Sequence, residues 1–265
     1  MAAAQTRIAA TVVSDGAVIS ATVLTKRYPP DVTALAGVSL AVRPGEFVAV
    51  LGPSGAGKTT LFRCLTGLTP PDDGSVSIDG REMRRRHVLR GTCSDVALIF
   101  QQFNLIRRLT AIENVLVGRL ARVATWRVLM RRFARADRQL ALRCLDTVGL
   151  LDRAYTRADQ LSGGQQQRVA IARALAQDAT AILADEPVAS LDPESAATVL
   201  ECLRSAVAAG VAVVASLHQV HLARAYADRI VALRDGRIVE DAPASRLDAS
   251  TIEQIYERTG ERSDP

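Results

Sequence analysis

Gly52-Pro53-Ser54-Gly55-Ala56-Gly57-Lys58-Thr59 brings glycines, a lysine and a hydroxyl together behind the apolar run Phe47-Val48-Ala49-Val50-Leu51, and Thr60 follows directly. A buried strand that feeds such a turn, with a helix starting at its end, aims backbone N–H groups and a positive helix dipole at one anion. Lys58 would reach terminal phosphates as a compact point charge, and the Thr59 hydroxyl would hold a magnesium ion bridging them. With Gly at 17, Lys at 2 and Ser plus Thr at 33 of 265 positions, the pattern arises by chance in roughly 0.001 of such chains. Of the 33 basic residues only Lys26 and Lys58 are lysines, so one of the two sits where a planar guanidinium fork would not fit.

Carboxylates complete a phosphate chemistry. The apolar run Ala181-Ile-Leu-Ala ends on Asp185-Glu186. The first acid suits the magnesium ion opposite Thr59, and the second can orient and deprotonate a water for in-line attack on a γ-phosphate. Val211 to Ser216 is another apolar strand and carries His218 just past its end, where it could contact the same phosphate. Val96-Ala-Leu-Ile-Phe100 likewise delivers Gln101 to a strand end, the edge at which α/β sheets take ligands. Tyr28, before Pro29-Pro30, is the aromatic left to stack on a purine face, because Phe47 lies within a buried strand.

A second anion site opens at Leu161-Ser162-Gly163-Gly164-Gln165, ahead of a helix through Ala176. It follows Lys58 by 104 positions. Spacing alone leaves open whether both sites serve one nucleotide or the second is offered to a nucleotide held by another copy. Asp192-Pro193 starts a further helix with Asp192 as its cap.

The elements that must position these groups follow in order. Strands are predicted over 18–24 and 38–42, a helix over 60–68 ended by Gly67, and a hairpin-like pair around Asp79-Gly80. Residues 102–159 turn helical, with segments 112–120, 126–133 and 137–148, the last closed by Gly149. Seven arginines and one acid lie within 119–138, and Arg127, Arg131 and Arg135 recur at i, i+4 on one helical face. That face is either solvated or a docking surface for a membrane partner or anionic lipid. A terminal hairpin turns at Asp235-Gly236, and the tail from Ala242 reads as one short amphipathic helix.

Composition is that of a globular protein, 48% hydrophobic and 23% charged. The net charge of +5 suits an anionic partner without naming it. Cys64, Cys93, Cys144 and Cys202 have no metal-ligand spacing and read as reduced core residues. Residues 1–17 carry no motif and no export signal. The longest uncharged apolar stretch, 205–217, has 13 residues, short of the ~20 that a spanning helix needs, so a membrane role would run through a partner.

The motifs in this order resemble the nucleotide-binding subunits of ATP-binding cassette transporters: the loop 52–59, Gln101, the signature Leu161 to Gln165, Asp185-Glu186 and His218. The resemblance covers about residues 18–240. It implies a single α/β domain over 1–265, a P-loop NTPase, RecA-like core (18–101 and 160–241). It also implies an N-terminal antiparallel β subdomain, an inserted α-helical subdomain at 102–159 and a short helical tail at 242–265. Magnesium would be held by Thr59, Gln101 and Asp185, with ATP as substrate. Glu186, His218, Lys58 and Gln101 would be catalytic, and Gln101 would couple ATP to the helical subdomain. ATP would meet Tyr28, Gly52, Pro53, Ser54, Gly55, Ala56, Gly57, Lys58, Thr59 and Thr60 of one copy, and Ser162, Gly163, Gly164, Gln165 and Asp192 of a head-to-tail partner copy. The implied partners are a homodimeric mate, two membrane permease subunits and an extracytoplasmic solute-binding protein, with no nucleic acid, at the cytoplasmic face of the inner membrane.

Asn114-Val-Leu-Val-Gly-Arg, Thr125-Trp126-Arg127, Tyr155 to Gln160 and Asp185 to Asp192 are similar to phosphonate importer ATPases. The cargo stays open between phosphonate and phosphate, phosphite, an amino acid or a metal complex, since no pocket in this chain selects it. A cassette ATPase acting on nucleic acid or ribosomes is the alternative from another class. Such proteins resemble fused cassettes, whereas each motif here occurs once.

Overall fold

A computed structural model of the chain describes residues 16–83, 95–100, 104–123, 133–247 and 256. Ten strands are present among them: β1 (Ile19–Tyr28), β2 (Val32–Val42), β3 (Phe47–Leu51), β4 (Asp73–Ile78), β5 (Arg81–Glu82), β6 (Val96–Ile99), β7 (Ala181–Ala184), β8 (Ala212–Ser216), β9 (Arg229–Arg234) and β10 (Arg237–Pro243). The helices are α1 (Lys58–Leu65), α2 (Ala111–Val117), α3 (Arg135–Thr147), α4 (Gly163–Ala176), α5 (Pro193–Ala208) and α6 (Val220–Tyr226).

All five residues of β3 are buried, the mark of a parallel strand covered on both faces. Its alternation divides the core. Phe47, Ala49 and Leu51 join one apolar cluster with the helices α2 to α5, while Val48 and Val50 join another with α1 and strands β1, β2 and β4. The large sheet runs β10-β9-β3-β8-β7-β6, and the smaller one runs β2-β1-β4-β5 with antiparallel pairing throughout. This is the expected α/β P-loop core with its antiparallel subdomain.

Register brings the carboxyl ends together. Val50 lies opposite Ser216, Ala184 opposite Ala215, and Ile99 opposite Ala184, all in parallel pairs. The segments leaving β3, β8, β7 and β6 therefore emerge side by side, though they come from four distant parts of the chain.

The inserted helices α2 and α3 pack on each other and on α4. The start of α2 is held by a Thr110–Glu113 capping box. Asn114, buried on that helix, accepts from Ile106 N–H at 2.8 Å and donates to Ile106, Leu109 and Thr110 carbonyls, so its amide shapes the preceding loop.

Two expectations need correction. Ala134 is an extended N-cap (ψ 157°) in front of Arg135, so Arg135 does not share one helical face with Arg127 and Arg131, which lie outside the described residues. Arg119 and Arg122, at the start of the arginine-rich stretch, are engaged with the end of α4. Arg119 pairs with Asp137 at 3.2 Å and donates to Ala176 O, and Arg122 donates to the carbonyls of Gln177 and Asp178. Both cap the C-terminus of α4, where a helix leaves acceptors unpaired. Finally, β10 continues through Pro243 and a 3-10 turn over Ala244–Arg246 follows, so the tail does not begin as a helix at 242. Cys64, Cys144 and Cys202 are buried and free, as expected, and Cys93 is outside the described residues.

Candidate functional site

The loop after β3 exists in this shape because glycine permits it. Gly52 has φ +147°, and a Cβ there would sit 2.1 Å from Leu233 O; Gly57 has φ +102°, and a Cβ there would sit 2.3 Å from Ala34 O. Gly57 is also the N-cap of α1, with no side-chain cap and no acid in the first turn. An uncapped helix start next to a turn of backbone amides is a place for an anion.

Lys58 is buried, and its ammonium donates to Gly52 O at 2.6 Å and Pro53 O at 3.0 Å. Burial pulls its pKa below the ordinary lysine value, against the opposing pull of Glu186 and Asp185. The loop therefore holds its one cation against a pair of carboxylates.

A cavity of about 380 Å³ is lined by Tyr28, Val32 to Ala34, Ser54 to Thr60 and Glu186. It brings Tyr28 to the loop from β1. The Lys26 ammonium lies 5.6 Å from the Tyr28 ring centroid and pairs with Asp72 at 2.8 Å, so a cation sits over the aromatic ring.

Asp185 and Glu186 follow β7. Asp185 is buried, its N–H donating to Ile99 O at 2.8 Å. The Ser216 hydroxyl donates to Asp185 Oδ1 and accepts from Glu186 N–H, a role not read from the sequence. Its signal was a polar residue closing an apolar strand next to β7. Glu186 takes φ +51°, a left-handed conformation that costs a non-glycine residue on the order of 1–3 kcal/mol and gathers at functional positions. Its Oε1 lies 2.6 Å from His218 Nε2. A second cavity of about 220 Å³ opens there, between Glu186, Val188, Ala189 and Ser216 to Gln219. His218 thus meets the carboxylate that could act as a base.

The donor set suits magnesium. Thr59 is an exposed residue in the first turn of α1, and Asp185 is a carboxylate with one oxygen engaged by Ser216. Among the described residues no cluster of three or more His, Cys, Asp or Glu could hold a metal by itself. Magnesium fits such sparse oxygen sites because it keeps waters and substrate phosphates as ligands. Gln101 lies outside the described residues.

Ser162, Gly163, Gly164, Gln165 and Asp192 do not line the loop cavity. Ser162 caps α4 in a reciprocal box with Gln165, whose side chain accepts from Ser162 N–H at 3.0 Å. Asp192 caps α5 by accepting from Ser195 N–H at 2.9 Å, a bond that holds its carboxyl below the usual range. The two helix starts meet, since a Cβ on Gly164 would lie 2.8 Å from Ser195 Oγ. They form a second polar surface that does not contribute to the lining of the loop cavity.

Residues 35–189 match the ABC transporter family. The chain is 49% identical over 247 residues to the phosphonates import ATP-binding protein PhnC of Thiobacillus denitrificans, covering 93% of this chain and 95% of that one. It is 51% identical over 230 residues to the phosphite import ATP-binding protein PxtA of Stutzerimonas stutzeri, covering 86% and 83%. A dimeric ATP-binding cassette in a post-hydrolysis state, bound to ADP and Pi, superposes with a TM-score of 0.73 at 35% identity, covering 85% of this chain and 98% of that one.

Proposed function

The chain belongs to the ABC transporter family, and from that premise we propose that it is the ATP-hydrolysing subunit of an importer. It works as a homodimer beneath two permease subunits, at the cytoplasmic face of the inner membrane, with an extracytoplasmic solute-binding protein supplying cargo. Among the described residues no helix is long and apolar enough to cross a membrane, which fits a subunit that moves solute through partners. The cargo is a phosphonate, by kinship to the relative that covers most of the chain. Phosphite is the second reading, favoured by a relative of similar identity, 51% against 49%.

The observation that carries the reading is the convergence of Tyr28, the loop and Glu186 on one cavity. Tyr28 stacks the base. Backbone amides of Gly52 to Thr60 take the phosphates, with Lys58 turned from its own loop carbonyls to their terminal oxygens. Thr59, Gln101 and Asp185 would hold magnesium, which would supply charge neutralisation at the phosphates. Glu186 takes the proton of the attacking water while His218 keeps that carboxylate oriented, a general-base contribution of roughly 10²- to 10⁴-fold. Ser162, Gly163, Gly164, Gln165 and Asp192 reach the nucleotide of the other copy, in keeping with their absence from the lining of their own chain's cavity.

The division into a core, a helical subdomain at 102–159 and a tail belongs to the same proposal, with the core carried through Pro243. Nucleotide binding and phosphate release by the full chain test it. The parent should bind and hydrolyse Mg-ATP and Lys58→Ala should do neither; identical behaviour of the two would sink the reading.

A further inference from the structure

Tyr28 ends β1 opposite Val32, the last pair before the chain turns into β2. Its ring lines the loop cavity, whereas Lys26 does not. The Lys26 ammonium nevertheless stands 5.6 Å from the ring centroid, and it is anchored there. Asp72, just ahead of β4, donates its N–H to Thr25 O at 2.8 Å, and its carboxylate accepts from Arg27 N–H at 2.7 Å and from the Lys26 ammonium at 2.8 Å. Its two backbone partners flank Lys26 in sequence, so the carboxylate is fixed to β1 independently of the ammonium. The Lys26 side chain is 13% exposed against 45% for Asp72, which marks a packed cation and not one waving in solvent.

We infer that Lys26 is a positioning residue for the nucleotide base: anchored by Asp72, it holds the Tyr28 ring in place and makes that ring a better platform for a purine. The inference rests on the nucleotide reading proposed above, in which Tyr28 stacks the base. A ring at a strand end has rotamer freedom to lose on binding, and a cation in contact with it removes part of that freedom beforehand. The second effect is electronic. Aromatic faces are negative, so two stacked faces repel each other electrostatically, and a cation that draws π density towards itself relieves that repulsion. Hydrogen bonds from Lys26 and from the Arg27 amide hold the Asp72 carboxyl below its usual range, so the pair is intact at neutral pH. The contacts run from Asp72 through Lys26 to Tyr28 and end at the base, so their loss should weaken binding and spare turnover at saturation.

Lys26→Met keeps the stem and removes the charge. In the purified full chain, the Kd for a non-hydrolysable ATP analogue should rise about three- to fivefold, the weight of one cation–π contact. KM for Mg-ATP should follow it, while kcat stays within about twofold. Lys26→Arg, which keeps a cation for the ring and for Asp72, should bind within about twofold of the parent. Thermal midpoints should match to within about 2 °C, because a partly exposed ion pair contributes little to stability. A double-mutant cycle reads the coupling: in a Tyr28→Ala background, Lys26→Met should change Kd by less than about twofold. Parent-like affinity in Lys26→Met would overturn the inference. So would Lys26→Arg as weak as Lys26→Met, or an equal loss with and without the ring, since either takes the effect away from a cation acting through Tyr28. Two controls keep failures apart. Tyr28→Ala binding as the parent does would remove the stacking and this inference with it, and Lys58→Ala matching the parent would remove the nucleotide reading altogether. With both controls impaired and Lys26→Met parent-like, only the role of Lys26 fails.

Discussion

The Ser216 hydroxyl lies 2.9 Å from Asp185 Oδ1 and donates to it, while its oxygen accepts from Glu186 N–H at 2.7 Å. One small side chain thus fixes two consecutive acids, one of them in a left-handed backbone conformation. Ser216→Ala leaves a carboxylate oxygen and an amide without partners beneath the site, at a cost of about 1–3 kcal/mol. The thermal midpoint should drop by about 5 °C, and kcat for ATP by roughly tenfold, equal to about 1.4 kcal/mol. A variant with parent stability and rate would show that the serine is incidental.

The phosphate loop was legible because its requirement is local: glycines between a buried strand and a helix start can be recognised without knowing the fold. Asp185-Glu186 and His218 were legible as polar residues at the ends of apolar strands. Ser216 was not, because its partners come from β7, and nothing in the chain order says that β8 lies between β3 and β7. The same holds for Arg119 and Arg122, whose acceptors at the end of α4 are distant in sequence. The break at Ala134 was hidden for a different reason. Alanine is the best helix former, so nothing in its residue type marks a helix boundary there.

Glu186 bears on chemistry more than on binding. Glu186→Gln keeps the shape of the side chain and a partner for His218 but cannot take a proton from water. ATP affinity should persist and turnover should fall by roughly 10²-fold or more. Undischarged nucleotide should then hold two copies together, seen as an ATP-dependent dimer in size-exclusion chromatography. Hydrolysis at the parent rate would remove Glu186 from the role of base.

The cysteines should be inert. Burial pushes the Cys64 and Cys144 thiols up to about 11 and raises that of Cys202. The thiolate is the nucleophile, so below that pH these groups stay neutral, and their reactivity should grow only as pH rises towards it. Iodoacetamide at pH 8 followed by peptide mapping should leave all three unmodified in the folded chain and alkylate all three after denaturation. Native labelling of Cys64 at the denatured rate would contradict the burial.

Two loop glycines separate conformational strain from steric exclusion. Gly55 has φ +83° with nothing within 4 Å of where a Cβ would stand, whereas at Gly52 (φ +147°) a Cβ would lie 2.1 Å from the backbone oxygen of Leu233. Gly55→Ala meets only the strain of the left-handed conformation, about 1–2 kcal/mol. Gly52→Ala is costlier, because Leu233 O belongs to β9, the neighbour of β3, and yields only if the two strands part. It should lose about 4 kcal/mol or more in urea denaturation, together with nucleotide binding, while Gly55→Ala stays folded and keeps a measurable part of both. Equal losses in the two variants would mean that backbone conformation, and not the approach of β9, sets the need for glycine at the mouth of the loop.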